Sequence, residues 1–247
     1  MVEVRNGLSA SLAALVVLLT VLGATPGIGP VGWVAGLTCG VVLGVGVAWS
    51  ASNRRVEAFG PADVVTLTRA TLSCGVAALV ADSFVRDVAA WPLIAFAVVA
   101  LALDAVDGRV ARRTGTASGF GARLDGEADA FLMLVLSVYV ARSAGAWVLA
   151  IGAVRYLFAI AGWVLPWLRV QLPPRYWRKV VTATAGIALT FAATDIAAQE
   201  ATYAALAVAL VLLAESFGRD VSWLWRHRPG ETTEANVEAS PARLPMP

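Results

Sequence analysis

Long apolar stretches constrain this chain more than any other feature. Eight of them reach spanning length, over 8–25, 31–50, 64–84, 88–106, 128–141, 147–168, 180–196 and 201–224. A membrane-crossing helix needs about 20 largely apolar residues to match the hydrocarbon thickness. Over the whole chain 59% of residues are hydrophobic and 15% charged, whereas an ordinary soluble domain carries about 25% charged residues. That surface is too large for one soluble core. The expected fold is therefore all-α, a polytopic membrane helix bundle. The fifth segment is short for a span unless its helix begins nearer Gly121.

Placement of the basic residues sets the orientation. Arg54 and Arg55 precede the third segment, and Arg109, Arg112, Arg113 and Arg123 lie between the fourth and fifth. Arg169, Arg175, Arg178 and Lys179 separate the sixth from the seventh, while Arg219, Arg226 and Arg228 end or follow the eighth. With Arg5, all fall on one side of an eight-helix weave, leaving Arg86 and Arg142 on the other. Both termini and the basic loops are expected to be cytoplasmic. Arg5 ahead of an apolar run also fits a signal peptide, but a second apolar run follows almost at once, so the first is read as a span.

Other residues narrow the chemistry. Cys39 and Cys74 lie inside apolar runs and read as small packing residues. The single histidine, His227, follows the last apolar segment, which excludes histidine-based catalysis and a His-ligated zinc. Gly32, Gly36, Gly40 and Gly44 recur every four residues, giving one helix a smooth face for close packing, inside the bundle or in a homodimer. Packing is the expected use. Residues 226–247 are polar and proline-containing and are expected to form a disordered cytoplasmic tail.

The chemistry is concentrated in 103–130. Asp104, Asp107, Gly108, Ala111 and Arg112 form one helical stripe, and Gly121, Asp125 and Asp129 form another on the following helix. Gly115 and Gly119 suit the reversal between them. Any one of these aspartates alone could be a cap or a solvated loop residue. Four carboxylates at membrane depth are another matter, costing roughly 10 kcal/mol together even on a lenient insertion scale, and they repel one another. A divalent cation offsets both costs, and oxygen-only ligands suit magnesium or manganese. Gly108 and Ala111 leave room for a ligand against the helix, and Arg112 offers a planar donor fork to a phosphate oxygen.

The spacing D-x2-D-G-x2-A-R-x8-G-x3-D-x3-D is matched at every defined position from Asp104 to Asp129, and in this it resembles the CDP-alcohol phosphotransferase family. The likeness covers about 63–224, which would be that family's six-helix catalytic core, with two extra N-terminal transmembrane helices before it. Domain bounds of 1–60, 61–225 and 226–247 follow. The resemblance implies that Asp104, Asp107 and Asp125 ligate metal, as two Mg2+ or Mn2+ ions, and that Asp129 both touches metal and serves as general base. It places Gly108, Ala111, Arg112 and Gly121 in the nucleotide and diphosphate site. A family stretch N-x-x-T-x-x-R is kept here as Asp63, Thr66 and Arg69, with aspartate in place of asparagine, and adds Thr66 and Arg69 to that site.

The implied reaction is attack of an alcohol on the phosphorus of a CDP-alcohol, with release of CMP. A membrane enzyme with a cytoplasmic metal site fits CDP-diacylglycerol as donor and a small soluble alcohol as acceptor, in phospholipid synthesis. Arg155 inside the sixth apolar segment, with Arg178 and Lys179 after it, favours a phosphorylated acceptor such as glycerol 3-phosphate or inositol phosphate. The same cations could instead enforce topology and hold lipid headgroups. Glu215 in the last helix is expected to pair with a buried arginine. The competing reading, an intramembrane carboxylate cation transporter, would want ligands at the midplane on broken helices; here they cluster on one helix pair. No feature points to nucleic acid.

Overall fold

The computed structural model describes residues 2–25, 27–114, 118–169 and 176–227; within these, the side chains of 107–114, 166, 169 and 176 lie outside the description. Its helices are α1 (Val4–Ala24), α2 (Pro30–Asn53), α3 (Pro61–Asp82), α4 (Ala90–Thr114), α5 (Gly119–Ala144), α6 (Leu149–Val164), α7 (Tyr176–Ala193) and α8 (Gln199–Arg226). Each apolar segment corresponds to one helix, and the expected all-α bundle is what forms. Five described helical spans are long and apolar enough to cross a membrane: α1, α2, α3, 146–164 and α8. In α4 the described apolar part, Ala90–Val106, is shorter. The chain is thus an integral membrane protein by the character of its helices.

One small element was not expected. Two-residue strands β1 (Val2–Glu3) and β2 (Ala58–Phe59) pair antiparallel, Val2 opposite Phe59. Segments that short have no periodicity to read. The pairing ties the entry of α1 to the loop that enters α3.

Helix α3 is the spine. Every residue from Ser73 to Val80 is buried, and the run Ser73-Cys74-Gly75 is small enough for neighbours to approach its backbone. A Cβ on Gly75 would stand 2.7 Å from Leu18 Cδ2 of α1. The glycine stripe of α2 does the same work from its side. A Cβ on Gly32 would meet the Ala78 carbonyl of α3 at 3.0 Å, and one on Gly40 would meet Leu15 of α1 at 2.2 Å. Gly44 faces open space. Three of the four stripe glycines therefore serve internal packing, while Val34, Val41, Val42, Val45 and Trp49 form the outward, lipid-compatible surface of α2. Cys39 and Cys74 are free thiols.

Helices α1 and α2 are pinned to the spine at both ends. Asp82, wholly buried at the end of α3, accepts the backbone N–H groups of Gly29 (3.0 Å) and Gly32 (3.3 Å) at the start of α2. At the other end Phe59 packs against Gly7 of α1 and stacks on Phe120 of α5, with ring centroids 5.9 Å apart. Arg142, one of the two cations expected on the outer side, donates to the Ser83 carbonyl at 2.8 Å and lies over the Phe84 ring.

Candidate active site

Helix α5 begins where a helix carrying Gly121, Asp125 and Asp129 on one face must begin. Ser118 takes the N-cap position and its Oγ accepts the Gly121 N–H at 2.9 Å, satisfying one of the first-turn donors that lack an internal partner. The fifth segment therefore starts at Gly119 and is long enough after all. Gly121 is required by a close approach: a Cβ there would stand 2.6 Å from Asp63 Oδ1. Asp63 is buried, and its Oδ2 accepts the Gly60 N–H at 2.8 Å, closing the first turn of α3. The aspartate at this position thus fixes the start of α3 and lies against the first turn of α5.

Asp104 on α4 meets Asp125 and Asp129 on α5. Each offers one oxygen, and these oxygens lie within 4.8 Å of one another. Their side chains are 34%, 21% and 22% exposed, so the cluster is neither solvated nor sealed. Three carboxylates this close repel, and burial strengthens the repulsion. A cation held among them would offset that repulsion, and hard carboxylate oxygens at this spacing could hold a metal ion.

The protein also brings a cation of its own. Arg69 of α3, its side chain only 2% exposed, reaches between the helices. Its Nη1 lies 2.5 Å from Asp125 Oδ1, and its Nη2 lies 3.1 Å from Asp104 Oδ1 and also bonds Asp129 Oδ1. Its Nε donates to the Ala100 carbonyl at 3.2 Å, one turn before Asp104. Sequence reasoning put Arg69 with the nucleotide; the structure places it among the carboxylates. The i, i+3 spacing of Thr66 and Arg69 puts both on the same face of α3, and Thr66 is buried with its hydroxyl on the Ala62 carbonyl at 3.1 Å. Nothing in the pattern of α3 alone indicates which neighbouring helices that face meets.

Asp107, Gly108, Ala111 and Arg112 continue along the α4 backbone, but their side chains lie outside the described residues. Arg175 and the tail from 228 lie outside them as well.

The basic residues proposed for an acceptor have acidic neighbours. Arg155 of α6 pairs with Glu127 of α5 at 2.6 Å, and its guanidinium lies 3.3 Å from where a Gly126 Cβ would be. Its buried Nε has no hydrogen-bond partner. Arg178 of α7 faces the buried Asp220 of α8 at 3.5 Å. Lys179 is exposed in the first turn of α7. Glu215 does not find a buried arginine. It pairs with the exposed Arg219 one turn on and accepts the Trp177 indole N–H at 3.1 Å; an i, i+4 pair on one helix needs no distant partner.

Sequence reasoning missed Asp82, Glu127 and Asp220. For Asp82 a signal existed, since Arg86 follows four residues later at the end of an apolar run. The buried environment of Asp220 depends on α7, and no local pattern marks it.

A family model described as CDP-alcohol phosphatidyltransferase matches residues 59–214, which is most of the chain. The match begins at Phe59, at the strand that leads into α3, and includes the whole acidic cluster. No curated protein and no solved structure matches the chain.

Proposed function

Since the chain belongs to the CDP-alcohol phosphatidyltransferase family, a transferase family of phosphoalcohol groups, we propose that it transfers a phosphatidyl group from CDP-diacylglycerol to a small, phosphorylated acceptor alcohol in the membrane. One observation carries this reading: Asp104 of α4 and Asp125 and Asp129 of α5 each bring one carboxylate oxygen within 4.8 Å of the others. Asp104 and Asp125, with Asp107, are the residues that would hold Mg2+ or Mn2+, and Asp129 is shared between metal and chemistry. Bound there, divalent ions would neutralise charge on the diphosphate and on the departing CMP.

The chain's own groups account for the rest. Asp129 accepts the proton of the acceptor hydroxyl as its oxygen bonds to the phosphorus bearing diacylglycerol. The bond from that phosphorus to the CMP oxygen breaks, and CMP leaves with the electron pair. For the nucleotide and diphosphate we take the motif positions Gly108, Ala111, Arg112 and Gly121, together with Thr66 and Arg69 of α3. For the acceptor, Lys179 is exposed at the start of α7; Arg155 and Arg178 could contribute by exchanging Glu127 and Asp220 for the acceptor's phosphate. The concentration of basic residues on one side of the weave supports a cytoplasmic active site and cytoplasmic termini.

The test is release of CMP from labelled CDP-diacylglycerol by the purified protein, across a panel of acceptors, with the lipid product read by mass spectrometry. The expected result is metal-dependent CMP release with a phosphorylated acceptor. Success with serine alone would refute the phosphorylated-acceptor part. Metal-coupled ion flux into liposomes without CMP would refute the transferase reading of this chain.

A further inference from the structure

Three carboxylates and one guanidinium share the centre of the site. Arg69 engages Oδ1 of all three aspartates, the residues that also converge to offer a cation one oxygen each. A guanidinium in a protein does not give up its proton, so its charge is permanent. Its stem has no freedom to withdraw into solvent, because the side chain is 2% exposed and Nε is anchored on the Ala100 carbonyl at 3.2 Å.

We propose that Arg69 is a built-in counter-cation that competes with the divalent ion for Asp104, Asp125 and Asp129, and so sets how tightly the centre holds metal. The inference rests on the metal reading of the site. Three carboxylates carry −3; adding the +1 of Arg69 leaves −2 for an arriving ion. Removing the guanidinium restores the third charge and frees three oxygens from ion pairs. Two other roles give different outcomes. If Arg69 mainly holds α3, α4 and α5 in register, its loss scatters the ligands and weakens binding. If it serves only the nucleotide, binding of metal alone does not change.

The experiment measures Mn2+ binding by the full chain in detergent micelles, from the electron paramagnetic resonance signal of free Mn2+, with no nucleotide present. Thermal unfolding in EDTA and in Mn2+ accompanies it. Arg69→Gln, which keeps size and polarity but drops the charge, is expected to bind Mn2+ about tenfold more tightly or better. It is also expected to unfold at lower temperature in EDTA and to gain more from Mn2+ than the wild type does. Arg69→Lys keeps the charge but trades the fork for a mobile point charge, so its affinity should rise by a smaller factor; it decides the matter if the glutamine variant cannot be recovered. Affinity equal to or below wild type overturns the proposal, as does failure of both variants to fold even with Mn2+ present. A wild-type chain that binds no Mn2+ would instead refute the metal reading itself.

Discussion

The Asp82 carboxylate at the end of α3 holds the Gly29 backbone N–H at 3.0 Å, so the last residue of the spine caps the first turn of α2. Gly32 adds a second N–H at 3.3 Å, and Arg86 bonds both the carboxylate and the Gly27 carbonyl. A carboxylate at a helix N-terminus satisfies orphan donors and meets the positive end of the helix dipole. Here it joins the start of α2 to the end of α3.

Asp82→Ala removes that cap and leaves the α2 donors buried. The expected cost is about 1–3 kcal/mol, read as a lower melting temperature in detergent. Asp82 lies 13 residues from Arg69 along α3, about 20 Å at the rise of an α-helix. KM for the donor should therefore be unchanged in the protein that remains folded.

Two neighbouring glycines separate a packing requirement from composition. A Cβ on Gly121 would stand 2.6 Å from Asp63 Oδ1, whereas one on Gly119 meets nothing within 4 Å. Gly121→Ala should displace the first turn of α5, and with it Asp125, lowering CMP release about tenfold or more at a cost typical of overpacking, about 1–3 kcal/mol. Gly119→Ala should stay near wild type. Equal loss in both variants would refute this account.

Gly152 is where α6 rests directly on the α5 backbone. A Cβ there would stand 2.5 Å from Leu134 Cα and 2.8 Å from the Met133 carbonyl, atoms that cannot turn aside. Gly152→Ala should lower stability by about 1–3 kcal/mol and push α6 outward, separating Arg155 from Glu127. The wider separation can be followed by crosslinking cysteines placed at the two positions, with and without Gly152→Ala.

Asp129→Asn keeps shape and removes the proton acceptor. CMP release should fall about 10²–10⁴-fold, the usual contribution of a positioned general base. Asp125→Asn should instead raise the metal concentration needed for activity. Chelation with EDTA should stop turnover in the wild type, and added Mg2+ or Mn2+ should restore it.

Lys179→Ala tests the acceptor side. Its ammonium is exposed at the start of α7, and the expected change is a rise in KM for a phosphorylated acceptor with the donor KM unaltered. A drop confined to kcat would assign Lys179 to the metal cluster.

Much of this molecule could be read in one dimension. Apolar runs of spanning length specify helices wherever they occur, since lipid offers no other partner to backbone polar groups. Asp104, Gly121, Asp125 and Asp129 are legible because helical periodicity places i and i+4 residues on one face, and the match over residues 59–214 bears out the family their spacing resembles. The glycine stripe of α2 was legible as a packing face, though not which neighbours would fill it.

Tertiary structure decided what depends on helices meeting. That Arg69 serves the carboxylates, that Asp82 caps another helix and that Arg155 and Arg178 face Glu127 and Asp220 are relations across 28 to 60 positions of sequence. No local propensity encodes them. A side chain's face follows from its position in a helix, but its partner follows from how neighbouring helices pack, and small residues such as Gly75, Gly121 and Gly152 set that packing by how closely they let backbones approach. The residue types and spacing thus determined what chemistry the chain carries; the packing of α3 between α4 and α5 decided which charge stands at its centre.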